Sequence, residues 1–331
     1  MFTLRGQGEA QMIQCRYVDD AQAKAIRAIP HFAGSAYRDI DLNGSVDFYV
    51  RRYVKPLAAF VEIGEGDVVA DIGSGYGWLS VAFALASNAR VVAVEIDEPR
   101  LEAARRISEI LGVADRIDWR VGRLGHVPVG DREARVVYCI EVIEHIGRCS
   151  PAIRDLSRVT AEALVITTPN LYFPVISHDT KLPFCHWLPP GLRARYAEIF
   201  GRTDCENDNL FWSPRTLLRE LPDFEVASRF LHYASRTDYL STFPYYLPYV
   251  GGGMRYGDGR LKSAYYALAA FLGRRSLYVM PSLACTLRRH LPVPASSKRP
   301  GVPGGLGVAA TSQPNPATID STQPTLIRGR R

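Results

Sequence analysis

Apolar residues fall at three different rhythms along this chain, and each predicts a different kind of element. Residues 1–44 are irregular, apart from a short helix expected over 21–28. Asn43-Gly44-Ser45 reads as a helix start, and residues 46–63 then carry apolar side chains at helical spacing, with Pro56 as a kink. From Val68 the rhythm becomes strand, helix, strand, helix. Val68 to Ile72 is apolar and β-branched, as a strand buried on both faces should be. A helix is expected over 78–86 and a second strand over 90–95. Asp97 caps a helix running through Leu111, with Leu101, Ala104, Ile107 and Leu111 on one face. Further strands are expected over 116–121, 135–140 and 163–168, the last after a helix near 152–160. Strands alternating with helices of this length indicate parallel βαβ units.

After Thr168 the alternation stops. Residues 169–212 are rich in Pro, aromatics and His, too long for an ordinary connection, and read as a lid or substrate segment. Ser213 caps a helix over 213–221 with Pro214 at its first position, and 224–230 suits a sixth strand. Residues 239–256 are crowded with tyrosine and proline. Two apolar stretches, 263–272 and 276–287, are separated by Arg274-Arg275; neither reaches the roughly 18–20 residues of a membrane span. They suit docking onto the domain or shallow membrane contact, and 276–280 is the best candidate for a seventh strand. The expected fold is therefore α/β: a doubly wound, mostly parallel, Rossmann-like sheet with a helical N-terminal segment, a lid insertion and a disordered C-terminal tail. The expected divisions are a cap segment at 1–44, the sheet domain at 45–235 with its lid at 169–212, an aromatic and helical substrate or docking segment at 236–291, and the tail at 292–331.

Composition changes this picture in two places. The net charge is +6, but Lys298, Arg299, Arg328, Arg330 and Arg331 against Asp320 put four of those charges in the tail. A nearly neutral body argues against a nucleic-acid backbone as partner. The tail's Pro, Gly, Ser and Thr content gives it no means of building a core. Six cysteines, at 15, 139, 149, 185, 205 and 285, include no C-x-x-C pair, which suits a reducing cytoplasm. The start of the chain meets a charge, Arg5, too soon for the apolar core of a signal peptide.

The chemistry starts at the end of the first strand, where Asp71 precedes Gly73, Gly75 and Gly77. Glycines there let backbone amides approach a ligand and open a helix N-terminus toward it. Glu95, at the end of the second strand and 20 residues past Gly75, can accept both hydroxyls of a ribose. Dinucleotide and nucleoside cofactors share these features. Asp71 separates them: a carboxylate beside the loop disfavours a pyrophosphate and favours a ligand carrying positive charge. The alternative is that Asp71 only hydrogen-bonds loop amides.

The run from Asp71 to Gly77 resembles motif I of the class I S-adenosylmethionine-dependent methyltransferases, an acid, any residue, then G-x-G-x-G. The resemblance extends over about residues 45–230 and includes Glu95-Ile96-Asp97 and Ile140-Glu141-Val142-Ile143-Glu144-His145. It implies S-adenosylmethionine as cofactor, with Asp71, Gly73, Ser74, Gly75 and Gly77 around its methionine and ribose parts. Glu95 would hold the ribose diol, Ile96 would pack on adenine, Ile140 would also border the cofactor, and Gly122 and Arg123 would lie where the family often has Gly-Asp. A second departure is Ala134-Arg135, where Phe-Asp is common.

Methyl transfer to a hydroxyl needs alignment, exclusion of water and a group to take the proton. The candidates are Glu141, His145, His178 and His186, the last two in a segment whose Phe184 and Trp187 offer an aromatic wall or merely pack. Glu141, Glu144 and His145 stand at i, i+3 and i+4, so on a helix they share one face. That trio is similar to the metal motif of small-RNA 2′-O-methyltransferases and ubiquinone-pathway O-methyltransferases, but a metal would need a further ligand, such as His178 or His186. No metal is the expected state. The Asn/Asp-Pro-Pro-aromatic signature of nucleic-acid amino-methyltransferases is absent at the fourth strand, which reads Cys139-Ile140-Glu141-Val142. The expected function is methyl transfer to a small-molecule acceptor with ring faces, at oxygen, in the cytoplasm. The alternatives are a metal-assisted RNA 2′-O-methyltransferase, a cofactor-binding scaffold without turnover, and an NAD-dependent oxidoreductase.

Overall fold

The computed structural model describes residues 17–58, 60–146, 150–176, 180–202, 211–228, 268, 271–280 and 282–290. All belong to one compact unit, Met1–His290. The tail expected at 292–331 and the tyrosine-rich stretch at 239–256 lie outside the described residues.

In chain order the elements are α1 (Asp20–Arg27), α2 (Pro30–Ala33), α3 (Leu42–Tyr49), α4 (Lys55–Leu57), β1 (Val68–Ile72), α5 (Trp78–Ala86), β2 (Arg90–Glu95), α6 (Glu98–Ile110), β3 (Ile117–Val121) and β4 (Ala134–Ile140). There follow α7 (Ser150–Val159), β5 (Thr160–Pro169), α8 (Pro190–Ile199), α9 (Pro214–Arg219), β6 (Phe224–Ser228) and β7 (Ser282–Arg289). The seven strands form one sheet in the order β3-β2-β1-β4-β5-β7-β6. β1 to β5 are parallel, and β7 runs antiparallel to both β5 and β6.

Side chains alternate across this sheet, as the period of a strand requires. Val69, Val91 and Tyr138 join one core with α5 and the N-terminal helices, while Ala70, Val92, Val137 and Leu164 join the other with α7 and α9. Both faces are covered, so the strands read as continuous apolar runs. Helix α5 is apolar nearly all round and correspondingly buried from Trp78 to Ala84. Helix α6 buries only one stripe, and Asp97 caps it by accepting from the Arg100 amide.

Two expectations are corrected. The helix expected over 46–63 starts earlier, at Leu42, where Asp41 accepts from the Gly44 amide. It widens into a π-helical turn at Val50–Val54 before α4. Pro56 has no N–H to return to a carbonyl four residues back, and the wider turn lies just ahead of it. The seventh strand is Ser282–Arg289 rather than 276–280, which falls in a 3-10 turn, Gly273–Tyr278, and the residues after it. Leu283, Cys285 and Leu287 enter one core while Thr286 is buried on the opposite face, so β7 belongs to the sheet and not to a docking segment. Of the N-terminal segment, Ile26, Phe32, Ile40 and Leu42 share the core of the sheet domain.

The excursion after β5 closes on its own base. The Leu171 amide donates to the Trp212 carbonyl at 2.9 Å. Asn170, fully buried, donates from Nδ2 to the carbonyls of Leu277 and Met280, each at 2.8 Å.

Candidate functional site

A cavity of about 520 Å³ opens at the carboxyl ends of β1, β2, β3 and β4. Its floor is the turn from β1 to α5. Gly73, Gly75 and Gly77 have φ of +78°, +58° and +74°, a region that L-residues rarely enter. A Cβ on Gly73 would lie 2.4 Å from Val142 Cγ2, and one on Gly77 would lie 2.3 Å from Trp119. One on Gly75 would meet nothing within 4 Å. Packing therefore adds to the demand for glycine at the outer two positions, whereas Gly75 exposes backbone to open space. The loop is pinned to β2 by Gly73 and Ser74, whose amides donate to the Val94 carbonyl at 2.8 and 3.0 Å.

Two buried carboxylates border this loop. Glu95 accepts from the Gly75 amide through Oε2 at 2.8 Å, and from the Ile96 and Asp97 amides through Oε1 at 3.0 and 3.1 Å. Asp71 Oδ2 takes the Ser80 hydroxyl of α5 at 2.7 Å. Burial pushes the Asp71 carboxyl up to about 7, the Ser80 bond opposes that rise and the Glu95 charge adds to it. A carboxyl in that state gains from a nearby cation.

The same cavity holds polar atoms without hydrogen-bond partners among the described residues. Ser74 Oγ, Trp78 Nε1 and Arg100 Nε are buried in this condition, and all three residues line the cavity. Buried polar groups are ordinarily satisfied. Together with two acids and a bare glycine backbone, they fit a ligand bearing hydroxyls, a cation and a carboxylate. Ile96, 66% exposed, offers an apolar shelf beside Glu95. Gly122, Arg123 and Ile140 also line the cavity, and the Gly122 amide donates to the Glu95 carbonyl at 3.0 Å.

The trio Glu141, Glu144 and His145 does not form one helical face. Glu141 stands at φ +53°, and its amide extends the ladder to the Thr167 carbonyl at 2.8 Å. Only Ile143–Ile146 then forms a 3-10 turn. Glu144 turns into the core, where Oε2 accepts from Thr168 Oγ1 at 2.9 Å. Burial and the adjacent Glu141 charge push its carboxyl up to about 8. Glu141 and His145 line the cavity. Among the described residues no three His, Cys, Asp or Glu side chains gather as a metal ligand set. His178 lies outside the described residues. His186 is not among the residues lining the cavity: its Nε2 lies 3.1 Å from the Leu171 carbonyl, and its ring meets those of Trp187 and Phe211 edge-on.

Sequence reasoning missed one wall. Tyr37, Ile40, Ser45, Phe48 and Tyr49 line the cavity from the N-terminal side. Tyr76 in the glycine loop ties that wall down, with Phe32 edge-on at 5.1 Å, Tyr37 at 5.6 Å and its hydroxyl 3.2 Å from His31 Nδ1. The available signal was Ser45, Phe48 and Tyr49 at i, i+3 and i+4.

Residues 69–163 match the family described as "Methyltransferase domain". That matched stretch, with the sheet order and the reversed β7, is similar to the class I S-adenosylmethionine-dependent methyltransferases. The 27-O-demethylrifamycin SV methyltransferase of Amycolatopsis mediterranei is 26% identical over 119 residues, covering 36% of this chain and 44% of that protein. Methyltransferase GfsG of Streptomyces halstedii is 25% identical over 108 residues, covering 33% and 39%. The chain thus spans less than half the length of these curated relatives. Among solved structures, an S-adenosylmethionine-dependent methyltransferase from Mesorhizobium loti aligns over 72% of this chain and 98% of its own, at 15% identity and a TM-score of 0.44.

Proposed function

We propose that this chain binds S-adenosylmethionine and transfers its methyl group to a hydroxyl of a small acceptor with ring faces. The observation that carries the reading is the pairing of two buried acids, Asp71 and Glu95, on one cavity floored by left-handed glycines. The cofactor, when bound, supplies an electrophilic methyl on a sulfonium. Asp71 meets its positive charge, Glu95 accepts from the ribose hydroxyls, and Ile96 and Ile140 cover the base. Ser74 Oγ and Trp78 Nε1 gain the partners they lack. A pyrophosphate would set its own charge against Asp71, which disfavours NAD.

The acceptor enters between the aromatic N-terminal wall and the turn after β4. Phe48 and Tyr49 present ring faces and exclude water from the reacting atoms, which favours alignment over solvent competition. Glu141 and His145 stand where the hydroxyl proton must leave, and one of them takes it. Support for oxygen as the acceptor atom comes from the relative whose name places the methyl on an oxygen of a rifamycin. The test is incubation with methyl-labelled S-adenosylmethionine and a small-molecule fraction of cell extract. Label should enter low-mass products, be lost with Asp71→Ala and fall with Glu141→Gln or His145→Ala. Label found only in RNA, and abolished by chelator, would replace this reading with the metal-assisted one.

A further inference from the structure

Two carboxyl groups meet at the turn after β4, and they differ in what they face. Glu141 lines the cavity, whereas Glu144 is only 1% exposed and does not. Both are fastened to consecutive residues at the end of β5. The Glu141 amide donates to the Thr167 carbonyl, and Glu144 Oε2 accepts from Thr168 Oγ1. The turn between them is held from a further side by Trp212, whose Nε1 donates to the Ile143 carbonyl at 3.2 Å. Glu141 itself stands at φ +53°, a conformation that a residue with a side chain keeps only where its surroundings fix it.

The other oxygen of Glu144 gives the burial a meaning. Oε1 is buried and has no donor among the described residues, although buried polar atoms are ordinarily satisfied. The Glu141 carboxyl lies within hydrogen-bond reach of Glu144. Two ionised carboxylates cannot make that bond, but a pair holding one proton can. Burial first, and the Glu141 charge next, favour the neutral form of Glu144. The proton therefore sits on the buried partner, and the partner at the cavity keeps its charge. The Cys139 thiol of β4, which also faces Glu144, is pushed well up by burial and stays neutral.

We propose that Glu144 is a positioning residue: anchored by Thr168, its protonated carboxyl donates to the Glu141 carboxylate and holds it toward the acceptor, whose proton Glu141 then takes. The inference rests on the reading that the cavity transfers a methyl group to a hydroxyl. In that step the acceptor oxygen bonds the methyl carbon, the S–C bond breaks with its electron pair staying on sulfur, and the O–H proton passes to Glu141. Glu144 acts only through Glu141.

The test follows initial rates of label transfer from methyl-labelled S-adenosylmethionine to a fixed small-molecule fraction of cell extract, with chelator present. Glu144→Leu combined with Thr168→Val removes both ends of a buried hydrogen bond while keeping their shape, so the variant should fold and bind S-adenosylhomocysteine as the wild type does. Its kcat should fall about tenfold or more, with KM for S-adenosylmethionine unchanged. Glu144→Gln can still accept from Thr168 and donate to Glu141, and should keep most of the wild-type kcat. A double variant as active as the wild type would overturn the proposal. So would equal losses in the Gln variant and the double variant, or a loss that only follows lowered thermal stability. Glu141→Gln distinguishes failure here from failure of the wider reading. Loss of rate there, with none in the Glu144 variants, removes the positioning role alone. Full activity of Glu141→Gln, or no label transfer by the wild type, removes the base and its positioning residue together.

Discussion

Ser80 Oγ donates a 2.7 Å hydrogen bond to Asp71 Oδ2, linking the end of β1 to the helix that the glycine loop opens. That bond is a short tether on a carboxyl that burial otherwise drives toward its neutral form. The site thus holds an acid near the midpoint of its titration at neutral pH, and a cationic ligand would draw it to the charged form.

Binding of S-adenosylhomocysteine, whose ammonium group carries the relevant charge, should depend on pH. A cation lowers the pKa of Asp71 in the complex, so binding releases a proton. Affinity should be level above the ligand-free value of about 7 and fall about tenfold per unit below it. Calorimetry across that range checks this. A flat profile would mean that Asp71 does not sense the ligand's charge.

Ser80→Ala should shift the same profile. The Ser80 bond opposes the rise in the Asp71 pKa, so its loss raises that pKa further. The fall in affinity should then begin at higher pH. Stability should drop by about 1–3 kcal/mol, the cost of leaving a buried acceptor without its donor; thermal denaturation measures the second effect.

Asp71→Asn should separate stability from binding. The folded pKa is raised from 3.8 to about 7, so the group's contribution is present below its unfolded value and is lost as pH rises through about 7. The Asn variant, which never charges, should melt higher than the wild type at about pH 8 and approach it near pH 4. It should bind S-adenosylhomocysteine far more weakly above about pH 7, and the gap should narrow as pH falls and Asp71 of the wild type becomes neutral. A lower melting temperature for Asn at high pH would show that the buried charge is matched by groups not described above.

The two ends of the glycine loop should respond differently. Gly73→Ala meets both the left-handed φ of +78° and a 2.4 Å approach to Val142. Gly75→Ala meets only the φ of +58°. The second should cost about 1–2 kcal/mol, and the first distinctly more. Val142→Ala should restore part of the loss to Gly73→Ala and none to Gly75→Ala, a coupling that a double-mutant cycle reads directly.

The residues legible in the sequence were those whose chemistry is local. Asp71, the glycines and Glu95 follow strand ends at fixed spacing, so strand rhythm alone places them at one edge. Helix α6 also follows from unambiguous periodicity. The aromatic wall was not legible, because α3, which carries Phe48 and Tyr49, meets the cavity through tertiary packing on α5 that no local pattern records. The E-x-x-E-H trio misled because i, i+3 and i+4 share a face only within a helix. Glu141, at φ +53°, lies just past β4 and ahead of the 3-10 turn Ile143–Ile146. β7 was misplaced because a short apolar run does not distinguish strand from helix by rhythm, and the reversed strand pairs with β5, more than a hundred residues earlier in the chain.

Selection of a cationic, ribose-bearing cofactor by Asp71 is read by calorimetric titration with S-adenosylhomocysteine and with NAD. The account predicts one-site binding of S-adenosylhomocysteine, no detectable heat with NAD, and loss of the first in an Asp71→Ala variant that remains folded. Binding of NAD without S-adenosylhomocysteine, or undiminished binding by Asp71→Ala, would contradict it.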